Sequence, residues 1–297
     1  MELEQGKTIQ WFPGHMTRTR RKMKECLPLI DLVVELLDAR VPLASHNPDL
    51  DSLVAGKPRL VVLNKADMAD EASTARWVAH FRQKGMAALA VDCKSGRGVN
   101  AFVPAMRTAV ADKIAAWEKK GMTNRPVRAM VVGIPNVGKS SFINRLARGS
   151  KAKVEDRPGV TRENRWFTVD AGALLLDTPG VLWPKFEDQQ VARHLAYTGA
   201  IRDEVLDAEE LACGLLQLLA ADYRPLLAAR YRLTDEEIAE YATDGWELLG
   251  RIGKKRGMLV SGGEVNTERA AAMLLDEFRA AKLGRITLEQ PDDVRGE

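Results

Sequence analysis

The chain has 297 residues, 45% of them hydrophobic and 29% charged, enough for one large globular domain or two modest ones. No run reaches the ~18 apolar residues that span a bilayer, and the opening MELEQGKTIQWFPGHM lacks a signal-peptide core. Cys26, Cys93 and Cys213 are widely spaced with no CxxC, which suits a reducing cytoplasm and excludes a zinc or disulfide framework, while a net charge of +3 excludes a generally basic protein.

In Trp11-Phe-Pro-Gly-His15, Pro13 and Gly14 make a turn signal that Trp11 and Phe12 can anchor. The His15 imidazole then suits orienting a water near pH 7, or serving only structure or RNA. Arg18, Arg20, Arg21, Lys22 and Lys24 follow as a cluster that either binds a polyanion by counterion release or is a solvated face.

Strands are expected at Leu32–Leu37 and Leu60–Leu63. The second ends in Asn64-Lys-Ala-Asp67, at the strand terminus where open α/β sheets bind ligands. A carboxylate there accepts from guanine N1–H and the 2-amino group. Adenine offers neither donor, so Asp67 selects GTP over ATP. The Lys65 stem is placed to pack on the base, and Asn64 to tie this loop to a phosphate loop. A helix over Glu71–Lys84 and a strand over Ala88–Val91 follow. Asp92, Cys93 and Lys94 resemble the loop whose backbone N–H meets guanine O6, a backbone contact for which the Cys93 thiol need not be catalytic.

A strand at Ala129–Val132 leads into Gly133-Ile-Pro-Asn136-Val137-Gly138-Lys139-Ser140, which fits G-x-x-x-x-G-K-[ST]. Gly133 and Gly138 let the loop curl with its amides inward, those of Asn136 and Val137 included, at a helix amino terminus. Lys139 would reach β- and γ-phosphate oxygens, Ser140 would bind Mg²⁺, and Ser141 would donate to the α-phosphate. Thr161 is the second hydroxyl ligand expected for Mg²⁺. Strands at Trp166–Val169 and Leu174–Leu176 precede Asp177-Thr-Pro-Gly180. Asp177 would hold a magnesium-bound water, and the Gly180 N–H would sense the γ-phosphate.

Past Thr198 the pattern becomes helical. Asp207-Ala-Glu-Glu210 and Thr234-Asp-Glu-Glu237 read as capping boxes, and Asn266 or Thr267 caps a third helix with apolar Ala271, Leu274, Leu275 and Phe278. Lys254, Lys255 and Arg256 form a basic loop in Gly253–Gly257, with Arg251 beside it, suited to RNA phosphates. Trp246 reads as core, and the residues beyond 285 as a polar tail.

These motifs predict an α/β fold: a P-loop GTPase domain over 1–198, including the basic segment 7–27, then a small all-α domain over 199–297. Their order is circularly permuted, with the base reader ahead of the P-loop. The chain therefore leaves DTPG directly for the helical domain, so a γ-phosphate that orders Gly180 can reposition that domain.

IQWFPGHM, ELLDARVPLASHNP, LNKAD, GIPNVGKSSFINRLA, DRPGVT, LLDTPGVLWPKFED and the terminal LGRITLEQP together resemble the circularly permuted GTPases, and within them the ribosome biogenesis GTPase A family. The resemblance implies a permuted Ras-like domain, a helical RNA-binding domain and a switch role late in assembly of the large (50S) ribosomal subunit. Partners would be GTP or GDP and large-subunit rRNA, with no membrane, in the bacterial cytoplasm, as a monomer. Ser141 departs from the threonine common in relatives, which is conservative for a hydroxyl contact.

Val181 stands where many such switches carry a water-holding glutamine, and the resemblance implies a family with a hydrophobic residue there. Three sources for that function remain: His15, a group from the ribosomal partner, or K⁺. Asn136 resembles the potassium ligand of K⁺-activated GTPases, where the ion stabilises transition-state charge as an arginine finger does, at ~10³–10⁵ in rate. Two other readings stay open: an RNA-binding assembly factor with incidental GTP turnover, and a GTPase acting on tRNA.

Overall fold

A computed structural model describes residues 9, 14–148, 154–155, 165–169, 172–183 and 186–293. The chain divides into two compact units, one of residues 12–185 with 287–297 and one of 186–286 with the amino-terminal residues up to 11. The boundary therefore falls a dozen or so residues before the expected 198, at 185/186, and the expected polar tail belongs with the first unit.

In that unit the strands are β1 (Leu32–Asp38), β2 (Arg59–Asn64), β3 (Ala87–Ala90), β4 (Val127–Val132), β5 (Val154–Glu155), β6 (Trp166–Val169) and β7 (Ala173–Asp177). They form one sheet in the order β3-β2-β1-β4-β7-β6-β5. The pairings from β3 through to β7 are parallel, and β6 and β5 add antiparallel at one edge. Helices α1 (His15–Cys26), α2 (Asp49–Leu53), α3 (Glu71–Gln83), α4 (Phe102–Ala109), α5 (Ala111–Lys119) and α6 (Lys139–Arg148) accompany it. Every residue of β1 is buried, as expected of a central parallel strand covered on both faces. Helix α6 is fixed by Phe142, which meets Phe102 of α4 edge-to-face with centroids 5.1 Å apart. This α/β sheet, with β4 at its centre and β1–β3 preceding it in the chain, has the permuted strand order that the motif order predicts.

The helical unit contains α7 (Gln189–Tyr197), α8 (Ala208–Asp222), α9 (Arg224–Tyr231), α10 (Asp235–Glu240), α11 (Gly245–Lys255) and α12 (Thr267–Arg279). Thr234 and Glu237 form the reciprocal capping box of α10, and Asn266 caps α12. At α8 only half of the expected box forms: Asp207 accepts from Glu209 and Glu210 N–H. Leu215, Leu216, Leu219, Leu248, Ile252, Leu274 and Phe278 make the core. Among the described residues no helix is long and apolar enough to cross a membrane.

Candidate functional site: a nucleotide cleft at the carboxyl edge of the sheet

The P-loop joins β4 to α6, and its glycines stand where side chains do not fit. Gly138 has φ +99°, and a Cβ there would collide with Asn64 Nδ2; a Cβ on Gly133 would lie 2.6 Å from the Leu36 carbonyl oxygen. Lys139 is 7% exposed, and its Nζ donates to the carbonyls of Gly133 (3.0 Å) and Ile134 (2.8 Å). Burial pulls its pKa down to about 8, against the opposing pull of Asp177. Burial pushes the Asp177 carboxyl up, with Lys139 and Arg165 opposing. A cleft of about 650 Å³ is lined by Pro135, Asn136, Gly138, Lys139, Ser140, Ser141, Arg165, Asp177, Thr178, Pro179 and Gly180. Gly133 and Val137 are buried and do not line it, Val137 being 1% exposed.

The DTPG loop leans directly on the P-loop. A Cβ on Gly180 would lie 2.7 Å from Pro135 N and 3.0 Å from Lys139 Nζ. Thr178 Oγ1 donates to Val131 O at 2.6 Å. Val181 turns away from the cleft: it is 5% exposed, its N–H donates to Gly133 O at 3.3 Å, and its carbonyl accepts from Asn47 Nδ2 at 3.2 Å. Leu182 N–H meets Met16 Sδ at 3.4 Å, so the first turn of α1, beginning at His15, is anchored beside the switch loop. The His15 imidazole and Thr161 lie outside the described residues.

The loops expected to read the base follow β2 and β3. Asn64 Nδ2 donates to Val137 O at 2.8 Å, joining the NKAD loop to the P-loop. Lys65 takes the left-handed conformation, φ 60°, and its Nζ pairs with Asp38 Oδ2 at 2.9 Å. Ala66 N–H donates to Val91 O at 3.1 Å, drawing the NKAD loop to the loop of Asp92, Cys93 and Lys94. The Asp92 carboxylate accepts from Lys94 N–H (2.7 Å) and Ser95 N–H (3.1 Å); burial raises its pKa, but these bonds hold it below the usual carboxylate value. The Cys93 thiol is pushed up to about 12 by burial and then by Asp92, with Asp67 adding to the effect. A thiol raised that far is a poor nucleophile at neutral pH.

Several participants have no role that the sequence assigns, although Asp38, Arg40 and Asn47 lie in ELLDARVPLASHNP. Asp38 and Arg40 form a buried ion pair with two hydrogen bonds, 2.9 and 2.8 Å, and Asp38 also holds Lys65. Burial pushes Asp38 up, yet Arg40 and Lys65 hold it well below the usual carboxylate range. Arg165 reaches the cleft because β6 runs antiparallel beside β7, so the residue before Trp166 arrives next to Asp177, whose N–H donates to Arg165 O at 3.2 Å. A basic residue at that strand junction was the available signal. The contact of Asn47 had none, since its partner lies 134 positions away.

The basic clusters differ from expectation in form. Helix α1 buries Met16, Thr19, Met23 and Cys26 on one face and turns Arg18, Arg21 and Lys24 outward; Arg20 pairs with Asp49 at 3.0 Å. Lys254 and Lys255 are the last turn of α11 and Arg256 its cap, so the expected basic loop is a helix end. Gly253 is there for packing, because a Cβ would collide with Val265 Cγ1. Lys255 pairs with Glu237 at 2.8 Å, Arg251 lies over the Tyr241 ring and Arg256 over the Tyr231 ring, while Lys254 projects outward. Trp246, expected in the core, is 53% exposed. The stripe Gly245, Leu248, Leu249, Ile252, Gly253 faces inward and leaves position 246 off it.

Residues 128–248 match the family model described as 50S ribosome-binding GTPase. Ribosome biogenesis GTPase A of Bacillus cereus is 47% identical over 96% of this chain and 95% of its own length. The chain belongs to the ribosome biogenesis GTPase A family. Mitochondrial ribosome-associated GTPase 1 of Xenopus tropicalis is 33% identical, with 94% of each chain covered. The crystal structure of GNP-bound YlqF from T. maritima superposes with a TM-score of 0.62 at 25% identity, covering 93% of this chain and all of that one. Membership of the ribosome biogenesis GTPase A family makes this chain a GTP hydrolase.

Proposed function

We propose that this GTPase acts, as a cytoplasmic monomer, on the large ribosomal subunit late in assembly, binding rRNA through its basic clusters and changing its grip with nucleotide state. The supporting observation is the contact of Gly180 with the P-loop: a γ-phosphate entering the cleft must engage the loop whose chain continues at residue 186 into the helical unit. The basic outer face of α1 and the end of α11 supply backbone-type phosphate contacts without a base code.

The donors facing the cleft suit a hard cation. The Ser140 hydroxyl and Asp177 carboxylate are oxygen ligands, and burial already disfavours a lone charge on Asp177. Bound Mg²⁺ would neutralise charge on the β- and γ-phosphate oxygens, with Thr161 as a further ligand. Asn136 lines the same cleft and is the proposed K⁺ ligand. Lys139 grips β- and γ-oxygens once it leaves the carbonyls of Gly133 and Ile134. Gly133, Val137, Gly138, Ser141 and Gly180 shape or donate to the phosphate chain, while Asn64, Lys65, Asp67 and the loop of Asp92, Cys93 and Lys94 hold the guanine.

Val181 holds no water. Of the four histidines, His46 is engaged by Glu35 and Asp51, His80 packs on Trp77 in α3, and His194 is 3% exposed in the helical unit. That leaves His15, at the start of a helix moored to Leu182, as the water-orienting side chain. Arg18–Lys24 share its helix, so docking on rRNA positions it. Basal turnover should be slow and large-subunit particles should raise it. His15→Ala should keep GTP affinity and lose the stimulation. Turnover indifferent to ribosomal particles would favour an RNA-binding factor with incidental hydrolysis, and stimulation by tRNA instead would move the target.

A further inference from the structure

Thr287–Gln290 are the residues in which the chain, having left α12, returns to the sheet unit. Thr287 and Glu289 are polar, yet only 2% and 3% exposed. The Glu289 carboxylate accepts from Leu43 N–H (2.6 Å) and Ala44 N–H (3.1 Å), and Leu288 N–H donates to Arg40 O (2.8 Å). These bonds fix the turn that follows β1. On the other side, Thr287 Oγ1 accepts from Asp70 N–H (3.1 Å), and Glu289 O accepts from Trp77 Nε1 (3.0 Å), fixing the start of α3.

The two gripped segments flank the base reader. Asp70 lies three residues after Asp67. The β1 turn carries Arg40, which clamps Asp38, which in turn holds Lys65 Nζ; Ala39 N–H also donates to Asn64 O at 2.9 Å. The Trp77 bond uses the backbone of Glu289 and would survive a change of side chain, so the carboxylate serves the Leu43–Ala44 amides alone among these contacts. A carboxylate that caps two amides specifies where the turn sits.

We propose that Thr287–Glu289 is a strap that sets guanine-nucleotide retention, with Glu289 as a positioning residue acting through the Arg40 turn on Lys65 and Asp67. This rests on the reading of Asn64–Asp67 as the guanine site. The phosphate end of the nucleotide is watched by the segment leaving for the helical unit, and the base end is held by the segment returning from it.

The test is dissociation of a fluorescent GDP from the full-length protein, chased with unlabelled GDP well below the unfolding midpoint. Glu289→Gln and Thr287→Val should each speed dissociation at least fivefold, and Glu289→Asp should recover part of the loss. The effect should fall on KM for GTP rather than on kcat, which a general loosening would not respect. Gln290→Ala is the control: the Gln290 side chain bonds Arg76 (2.7 Å) and Ser73 (3.2 Å) on α3, not the turn after β1 that carries Arg40, and dissociation should stay within twofold. Glu289→Gln within twofold of wild type, or all variants accelerating alike, overturns the strap. Should Glu289→Gln not fold, Thr287→Val decides on the same threshold. Wild-type protein that retains no guanine nucleotide would sink the reading of the site itself.

Discussion

Asn64 Nδ2 and the Val137 carbonyl oxygen are joined by a buried 2.8 Å hydrogen bond, and the same amide stands where a Cβ on Gly138 would be. The base-reading loop and the phosphate loop are therefore one packed object, although 73 residues separate them. Permutation cut the chain elsewhere and left this joint intact.

Breaking the joint should cost nucleotide affinity by loosening the base loop from the phosphate loop. Asn64→Ala leaves a buried carbonyl unpaired, about 1–3 kcal/mol. We expect GDP to bind roughly ten- to a hundredfold more weakly, read by calorimetric titration. An unchanged Kd would mean that the two loops are held by other contacts.

Base identity should follow the carboxylate at Asp67. Asp67→Asn replaces an acceptor by an amide that also donates, suited to the 2-oxo group of xanthine. Affinity for GTP should fall on the order of a hundredfold and a preference for XTP should appear in competition. Equal loss for both would place the discriminating group outside the NKAD loop.

Phosphate affinity should depend on pH through Lys139. With its pKa lowered to about 8 in the free protein, Lys139 is largely neutral at pH 9, and binding an anion then requires proton uptake. The GDP Kd should rise by up to about tenfold between pH 7 and pH 9. Calorimetry in buffers of different ionisation enthalpy should show proton uptake above pH 8 and little below pH 7.

Stability carries a separate pH signature at His46. Its Nδ1 meets buried Glu35 at 2.8 Å and its Nε2 meets Asp51 at 3.1 Å, with Arg59 pairing to both carboxylates. Burial works against the imidazolium, but the two carboxylates raise the pKa from 6.5 to about 9. A raised pKa gives stability that is complete below pH 6.5 and lost as pH climbs through 9, a contribution on the order of 3 kcal/mol. Thermal unfolding should show wild type losing stability from pH 7 to 10, and His46→Gln should flatten that loss.

What was legible in the sequence depended on how local its physics is. The P-loop and DTPG follow strands whose apolar runs and glycine spacing are contiguous, and both sit at the carboxyl edge where their order demanded. Helix α12 was readable because Ala271, Leu274, Leu275 and Phe278 repeat at helical spacing, and all are buried. Glu289 was not, because a polar tail reads as solvated when its amide partners at Leu43 and Ala44 are 246 and 245 residues away. At Trp246 the residue type outweighed the spacing of its neighbours. In Gly253–Gly257 two glycines suggested a loop, whereas Gly253 serves close packing on Val265 and only Gly257, φ 67°, ends the helix.

Cosedimentation with purified ribosomal subunits, compared for a non-hydrolysable GTP analogue, GDP and no nucleotide, tests the account most directly. Binding to the large subunit alone is expected, strong with the analogue and weak with GDP or without nucleotide. Binding that ignores the nucleotide, or that favours the small subunit, would contradict it.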